Sequence, residues 1–168
     1  MNSGEATGNA LKIELGRRYR FSASHRLHSP HLTEEENCRV FGKCNNPHGH
    51  GHNYVVEVTI TGPVDLATGM IANLEDLDRF VEREVVEAFD CKYLNEELPE
   101  FFKTVPTTEN VVREIFGRLE KFPAAQLERV RIEETSKNSF ELSLPGPASE
   151  ASSLAEPGVD SPRRRKRR

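Results

Sequence analysis

The 168-residue sequence predicts an α+β domain: an antiparallel four-stranded sheet in ββααββ order, with two helices on one face. Two segments in which apolar and polar residues alternate come first. Two segments with apolar residues at three- and four-residue spacing follow, and two more alternating segments close the body. Alternation marks a strand with one face buried, and the longer spacing marks an amphipathic helix. Two helices can cover only one side of such a sheet. Its strand edges and any second apolar face then call for another chain, so a homo-oligomer is expected.

The first strand carries Leu11, Ile13, Leu15, Tyr19, Phe21 and Ala23 on one face, and that face runs on to His25. Residues 26–49 form a connection in which Thr33-Glu-Glu-Glu36 has the form of a capping box, predicting a short helix over about 34–40. His28 and His31 fall in the polar loop before it and read as surface residues. Cys38 falls inside it and reads as a small buried apolar residue. The second strand runs from the glycine-rich turn near Gly49 to about Thr61, where Gly62-Pro63 stops it. Asn73 is a good helix cap, followed by Leu74, Leu77, Phe80, Val81, Val85 and Phe89, which predict a helix of about four turns. Thr107 or Thr108 caps a second helix with Val111, Val112, Ile115, Phe116 and Leu119 on its apolar face. Val130, Ile132 and Glu134 share a face of the third strand, Ser136-Lys-Asn-Ser139 turns the chain, and Phe140, Leu142 and Leu144 form the fourth.

Composition bounds the rest. Residues 1–9 and 145–168 have almost no large apolar side chains and are expected to be disordered, leaving a domain over 10–144. The tail ends in Arg163-Arg-Arg-Lys-Arg-Arg168, which reads as a solvated end, a localisation signal or a polyanion-binding tag. It carries six basic and three acidic residues, so the net charge falls from −4 to −7 without it. An acidic body argues against general nucleic-acid binding and requires a local basic pocket for any anionic substrate. No apolar run approaches the roughly 18–20 residues that span a bilayer, so no membrane partner is expected. Three cysteines without a CxxC pair argue against a disulfide framework and for the reducing cytoplasm.

The chemistry concentrates between Phe41 and Tyr54, in the run FGKCNNPHGHGHNY. His50 and His52 are two apart and project together if the strand has begun there, with Tyr54, Val56 and Val58 continuing the face. Paired imidazoles on an apolar face need a ligand, and Zn2+ suits them, commonly with three protein donors and one open position. His25, at the end of the first strand's apolar face, is the third candidate. Glu134, in register with two core residues, is either a strand-end carboxylate reaching solvent or a buried one paired for a purpose.

These residues carry a resemblance. Phe21-Ser-Ala-Ser-His25-Arg, Phe41-Gly-Lys-Cys44-Asn-Asn-Pro with Gly49-His50-Gly-His52-Asn-Tyr54, Asp65-Leu-Ala-Thr-Gly-Met70, Thr107-Thr-Glu-Asn110 and Glu134-Thr135 resemble the 6-pyruvoyl-tetrahydropterin synthase family of tunnelling-fold pterin enzymes. The match covers nearly the whole body and none of the tail. It implies that His25, His50 and His52 bind zinc and that Cys44 is the thiolate base. It implies that Thr108, Glu109 and Glu134 hold the pterin, with Glu134 on the guanidine-like edge. It implies a lyase of tetrahydrobiopterin biosynthesis that converts 7,8-dihydroneopterin triphosphate to 6-pyruvoyl-tetrahydropterin with loss of triphosphate, assembled as a hexamer with sites between subunits.

One departure stands out. The family places a histidine after the aspartate equivalent to Asp90, as the partner of the cysteine, and here that position is Cys91. Three readings follow: Cys91 substitutes, activity is reduced or lost, or His48 takes the role. Ligand choice has an alternative too. His48 and His52 stand about 13 Å apart in extended chain, so one ion cannot take His48, His50 and His52 without a bend. The spacing Cys44-x3-His48-x-His50 resembles 6-carboxytetrahydropterin synthase of the queuosine pathway, whereas Cys44-x5-His50-x-His52 resembles the pyruvoyl enzyme. The Asn-Tyr after His52 favours the longer spacing. A zinc-containing pterin-binding module without turnover is the reading from another functional class.

Overall fold

The computed structural model describes residues 12–145. The expectations for 1–9 and for the tail beyond Pro145 lie outside them. In order come β1 (Glu14–His25), α1 (Glu34–Phe41), a 3-10 turn (Gly42–Asn45), β2 (His50–Thr61) and α2 (Leu74–Val81). A π turn (Glu82–Val86) carries α2 into α3 (Glu87–Phe89). Then follow β3 (Lys92–Tyr93), the single turn α4 (Leu94–Glu97), a 3-10 turn (Pro99–Phe101), α5 (Thr108–Leu119), β4 (Gln126–Glu133) and β5 (Ser139–Ser143). The sheet order is β3-β1-β2-β4-β5.

The four expected strands are β1, β2, β4 and β5, and every pairing among them is antiparallel. The fifth, β3, was not expected. It contributes two residues, parallel to Ala23 and Ser24 of β1. Two residues are too few to show an alternation, so only the tertiary structure reveals it.

The alternation in β1 and β2 does what it predicts. The two strands form twelve pairs, from Glu14 opposite Thr61 to His25 opposite His50. Phe21, Ala23 and His25 are buried from β1, and Tyr54, Val56, Val58 and Ile60 from β2. Against this face lie Leu77, Val81, Val85 and Phe89, then Val111, Val112, Ile115, Phe116 and Leu119 from α5. The first set is spaced strictly by four. In a regular α-helix four residues overshoot one turn by about 40°, and three such steps would rotate Phe89 off the sheet. The wider π turn between Val81 and Glu87 takes up that drift and keeps all four inward.

The caps agree with the sequence. Thr33 and Glu36 form the reciprocal capping box of α1, Asn73 accepts from the Glu75 amide at 2.8 Å, and Thr107 caps α5. Cys38 is a correction: it is exposed. Helix α1 docks through the polar Asn37, which is 0 % exposed, and has no apolar stripe to bury. The Asn37 amide nitrogen donates to the Ser29, Leu32 and Thr33 carbonyls, and its oxygen accepts from the Ser29 amide. His31 is exposed as expected, but His28 is half-buried against Asn45, 3.0 Å away.

The second sheet face is polar and carries cross-strand ion pairs, Arg18 with Glu133 at 3.1 Å and Arg129 with Glu57 at 3.5 Å. No apolar surface there calls for a partner. Two edges do: β5, and β1 over the residues that the short β3 leaves unpaired.

Candidate active site

Parity and register together build a cluster of imidazoles. His25 ends β1, His50 opens β2 directly opposite, and His52 returns to the same face two residues later. The ring centroids are 4.8 Å (His25–His50), 5.2 Å (His25–His52) and 4.8 Å (His50–His52) apart. One nitrogen of each ring lies within 4.8 Å of the others, so the three can hold a metal ion. His25 Nδ1 donates to the Pro106 carbonyl at 2.8 Å, which leaves Nε2 free to ligate. That nitrogen stands 3.3 Å from His50 Nε2.

The donor set fits an ion on two observations. His50 Nδ1 and His52 Nε2 are buried without a hydrogen-bond partner. Burial, more than the neighbouring rings, holds His25 and His50 below the usual imidazole range, so both are neutral where a ligand must be. His48 is not in the cluster; it is exposed, and its amide donates to Asn46.

Gly49 makes the geometry possible. Its φ is +67°, and a Cβ there would sit 2.9 Å from the His25 carbonyl oxygen and 3.0 Å from the Tyr93 ring. Gly49→Ala therefore pushes β2 away from the end of β1 just where His25 faces His50. We expect a destabilisation of about 1–3 kcal/mol and weaker metal retention, read by thermal melting and metal analysis of the purified variant. Metal retention equal to the parent's would show that the close approach is not needed.

Cys44 is held beside the cluster by the residues that follow His25. The Leu27 amide donates to the Cys44 carbonyl at 2.8 Å, and Arg26 Nε and Nη2 donate to the Asn45 carbonyl and side-chain oxygen, each at 3.3 Å. Asn95 clamps the Arg26 backbone through both its amide and its carbonyl, at 2.8 and 2.9 Å. Neither Asn45 nor Asn95 was singled out from the sequence, because a side chain that imitates a strand partner leaves no periodic signal. Burial first, then the Glu134 charge, pushes the Cys44 thiol up. The chain alone therefore favours the protonated thiol.

Glu134 follows β4 on a turn closed by its amide on the Asn138 carbonyl at 3.1 Å. Its carboxylate is turned inward, 13 % exposed, 3.8 Å from His52 Nε2 and 3.9 Å from His25 Nε2. The Thr108 hydroxyl donates to Glu134 Oε1 at 2.5 Å. Of the two positions open for this carboxylate, it takes the inward one. Glu109 is exposed, and its side chain forms no hydrogen bond or ion pair among the described residues.

Asp90 and Cys91 lie elsewhere. Asp90 accepts from the Ser22 amide at 2.7 Å, which holds its carboxyl below the usual range, and the Cys91 thiol donates to it at 3.5 Å. The Cys91 amide donates to the Ser22 carbonyl at 2.6 Å. Cys91 lines a hollow of about 310 Å³ with Ser22, Ser24 and Asn53. The Ser22, Ser24 and Asn53 side chains have the parity opposite to His25 and His52 and face the polar side of the sheet, while Ala23, Gly51, His52 and Lys92 complete the lining. Within one chain, Cys44 and the Asp90–Cys91 pair are on opposite sides.

Comparison with known proteins accords with this geometry. The family described as 6-pyruvoyl tetrahydropterin synthase matches residues 14–144. The human 6-pyruvoyl tetrahydrobiopterin synthase is 47 % identical over 137 residues, covering 81 % of this chain and 94 % of the relative. The Drosophila melanogaster protein of the same name is 46 % identical over 135 residues, covering 79 % of this chain and 80 % of its own length. The solved structure of the Caenorhabditis elegans 6-pyruvoyl tetrahydropterin synthase superposes with a TM-score of 0.76 at 39 % identity, over 80 % of this chain and 97 % of that one. With its histidine cluster, inward glutamate and mostly antiparallel sheet all inside the matched span, the chain belongs to the 6-pyruvoyl tetrahydropterin synthase family.

Proposed function

We propose that this protein is a zinc-dependent lyase that converts 7,8-dihydroneopterin triphosphate to 6-pyruvoyl-tetrahydropterin with loss of triphosphate. One observation carries the reading: a metal-competent trio and an inward carboxylate share one end of one sheet face, with 3.8 Å between His52 and Glu134. Zinc, held by His25, His50 and His52, would draw electron density from the substrate's side-chain oxygens and favour loss of a proton from the carbon beside them. The chain's own groups do the rest. Glu134 accepts the paired N–H groups of the pterin ring, for which a carboxylate has two oxygens. Thr108 fixes one of those oxygens, and Glu109, on the first turn of the same helix, borders the ring. Cys44, as the thiolate that the positive charge of the bound ion would favour against the effect of burial, takes the proton from the side-chain carbon.

The return path for that proton involves Asp90 and Cys91. Because they lie across the sheet from Cys44, we place the pair of a second copy against each Cys44. The open edges of β1 and β5 support assembly of several copies, and a hexamer is the proposed form. Three unpaired cysteines fit the reducing cytoplasm. Among the described residues no helix is long and apolar enough to cross a membrane.

The test is Glu134→Ala. It should abolish binding of neopterin, a pterin without the triphosphate, while zinc content stays that of the parent. Unaltered neopterin affinity would return Glu134 to an ordinary strand-end carboxylate. Incubating the parent with 7,8-dihydroneopterin triphosphate and identifying the product separates a pyruvoyl product from a 6-carboxy product and from binding without turnover.

A further inference from the structure

Among the described residues, five buried side-chain polar atoms lack a hydrogen-bond partner: His50 Nδ1, His52 Nε2, Tyr54 Oη, Arg129 Nε and Arg131 Nε. The two imidazole nitrogens are on rings of the histidine cluster. Both arginines engage other atoms of the same guanidinium, Arg129 with Glu57 and Thr59, Arg131 with Ser139. Tyr54 Oη has no such account. The residue is 0 % exposed, stacked on Phe21 at 4.9 Å and packed against the His52 ring at 5.6 Å. A phenylalanine would make all of these ring contacts. A hydroxyl left unmet in the interior is a standing cost that a phenylalanine would avoid.

The position of the hydroxyl suggests what it is kept for. Tyr54 follows His52 by two residues on the same face of β2. Its oxygen lies near the Thr108 hydroxyl, without the geometry of a hydrogen bond, and feels the charge of Glu134 and Cys44. Thr108 spends its own proton on Glu134. Tyr54 Oη therefore stands where the groups assigned to ring binding and to proton removal meet.

We infer that Tyr54 is a substrate-recognising residue whose hydroxyl is reserved for a hydrogen bond with the bound pterin ring. This rests on Glu134 as the ring anchor. The ring edge offers two adjacent N–H donors, flanked on one side by the ring carbonyl oxygen and on the other by a ring nitrogen acceptor. A carboxylate satisfies the donors and can do nothing for the acceptors. A phenolic O–H beside it supplies the complementary donor. The hydroxyl is shut off from solvent, so the ring reaches it only by displacing a side chain that covers it. A ring with the paired donors and no flanking acceptor would leave the hydroxyl unmet and bind poorly, which makes Tyr54 a specificity element.

The experiment uses full-length Tyr54→Phe, which keeps the packing and removes only the oxygen. Zinc content should equal the parent's, and the ligand-free protein should melt no lower than the parent. Neopterin should bind about tenfold more weakly, with the loss in turnover appearing mainly in KM. Normal zinc with unchanged neopterin affinity would overturn the inference. Loss of zinc would overturn it as well, because Tyr54 would then be a prop for the metal ligands. Glu134→Ala measured alongside keeps the two readings apart. Unchanged neopterin binding in that variant removes the ring anchor, whereas loss there with no effect of Tyr54→Phe removes only the role of Tyr54.

Discussion

His25→Ala is expected to empty the metal site and abolish turnover, whereas His48→Ala should leave both near the parent's level. His25 is 1 % exposed, and the bond of its Nδ1 to the Pro106 carbonyl aims its Nε2 into the cluster. Loss of an outer hydrogen-bond partner of a metal ligand typically costs about 10–100-fold in metal affinity, and loss of a ligand itself should cost more. His50→Ala and His52→Ala should behave like His25→Ala. Metal analysis of the four purified variants, with turnover measured on the same samples, decides the matter. An empty site in His48→Ala with a full one in His52→Ala would mean that the shorter cysteine–histidine spacing supplies the ligands.

Cys44→Ala is expected to lower turnover by about 10²–10⁴-fold, the usual contribution of a general acid–base group, with zinc and neopterin binding unchanged. The partner residue gives the complementary result. Cys91 has φ +58°, the only positive φ outside glycine among the described residues. Histidine is one of the residue types enriched in that backbone region, so Cys91→His fits the turn. It should raise turnover about tenfold or more by placing an imidazole beside Asp90. Cys44→Ala should remove activity in that background too. Placement on opposite sheet faces adds a sharper test. Mixed assemblies of Cys44→Ala with Asp90→Ala chains should recover activity that neither has alone, since some sites would combine an intact Cys44 with an intact Asp90. No recovery on co-assembly would place both groups in one chain's site. A flat response to Cys91→His in a fully active parent would show that this partner does not limit the rate.

The two periodicities made much of this legible. Alternation in β1 and β2 put His25, His50 and His52 on one face before any contact was known, and helix spacing marked the residues that cover it. Other features depend on contacts that no period records. Cys38 looked buried because it sits in a helix, but α1 docks through the amide of Asn37. The segment from Asp90 to Asn95 makes a reversed-φ turn, a two-residue strand and a clamp on Arg26 within six residues, too few for a pattern to repeat. Its placement on the polar face follows from the Ser22 backbone, a partner 68 residues away. Glu134 showed its face in the sequence, but only the Thr108 contact and the nearby imidazoles show that it turns inward.

The ladder between β1 and β2 doubles as a ruler. Because His25 is counted along one strand and His50 and His52 along the other, the three meet only when all twelve pairs fall in step. A single residue inserted or deleted within β1 would rotate His25 to the opposite side of the sheet, whereas a change of two residues would restore its direction and shift it along the strand. Length changes in this hairpin should therefore be tolerated outside the paired span and selected against within it. Only the correctly aligned ladder can present three nitrogens to one ion.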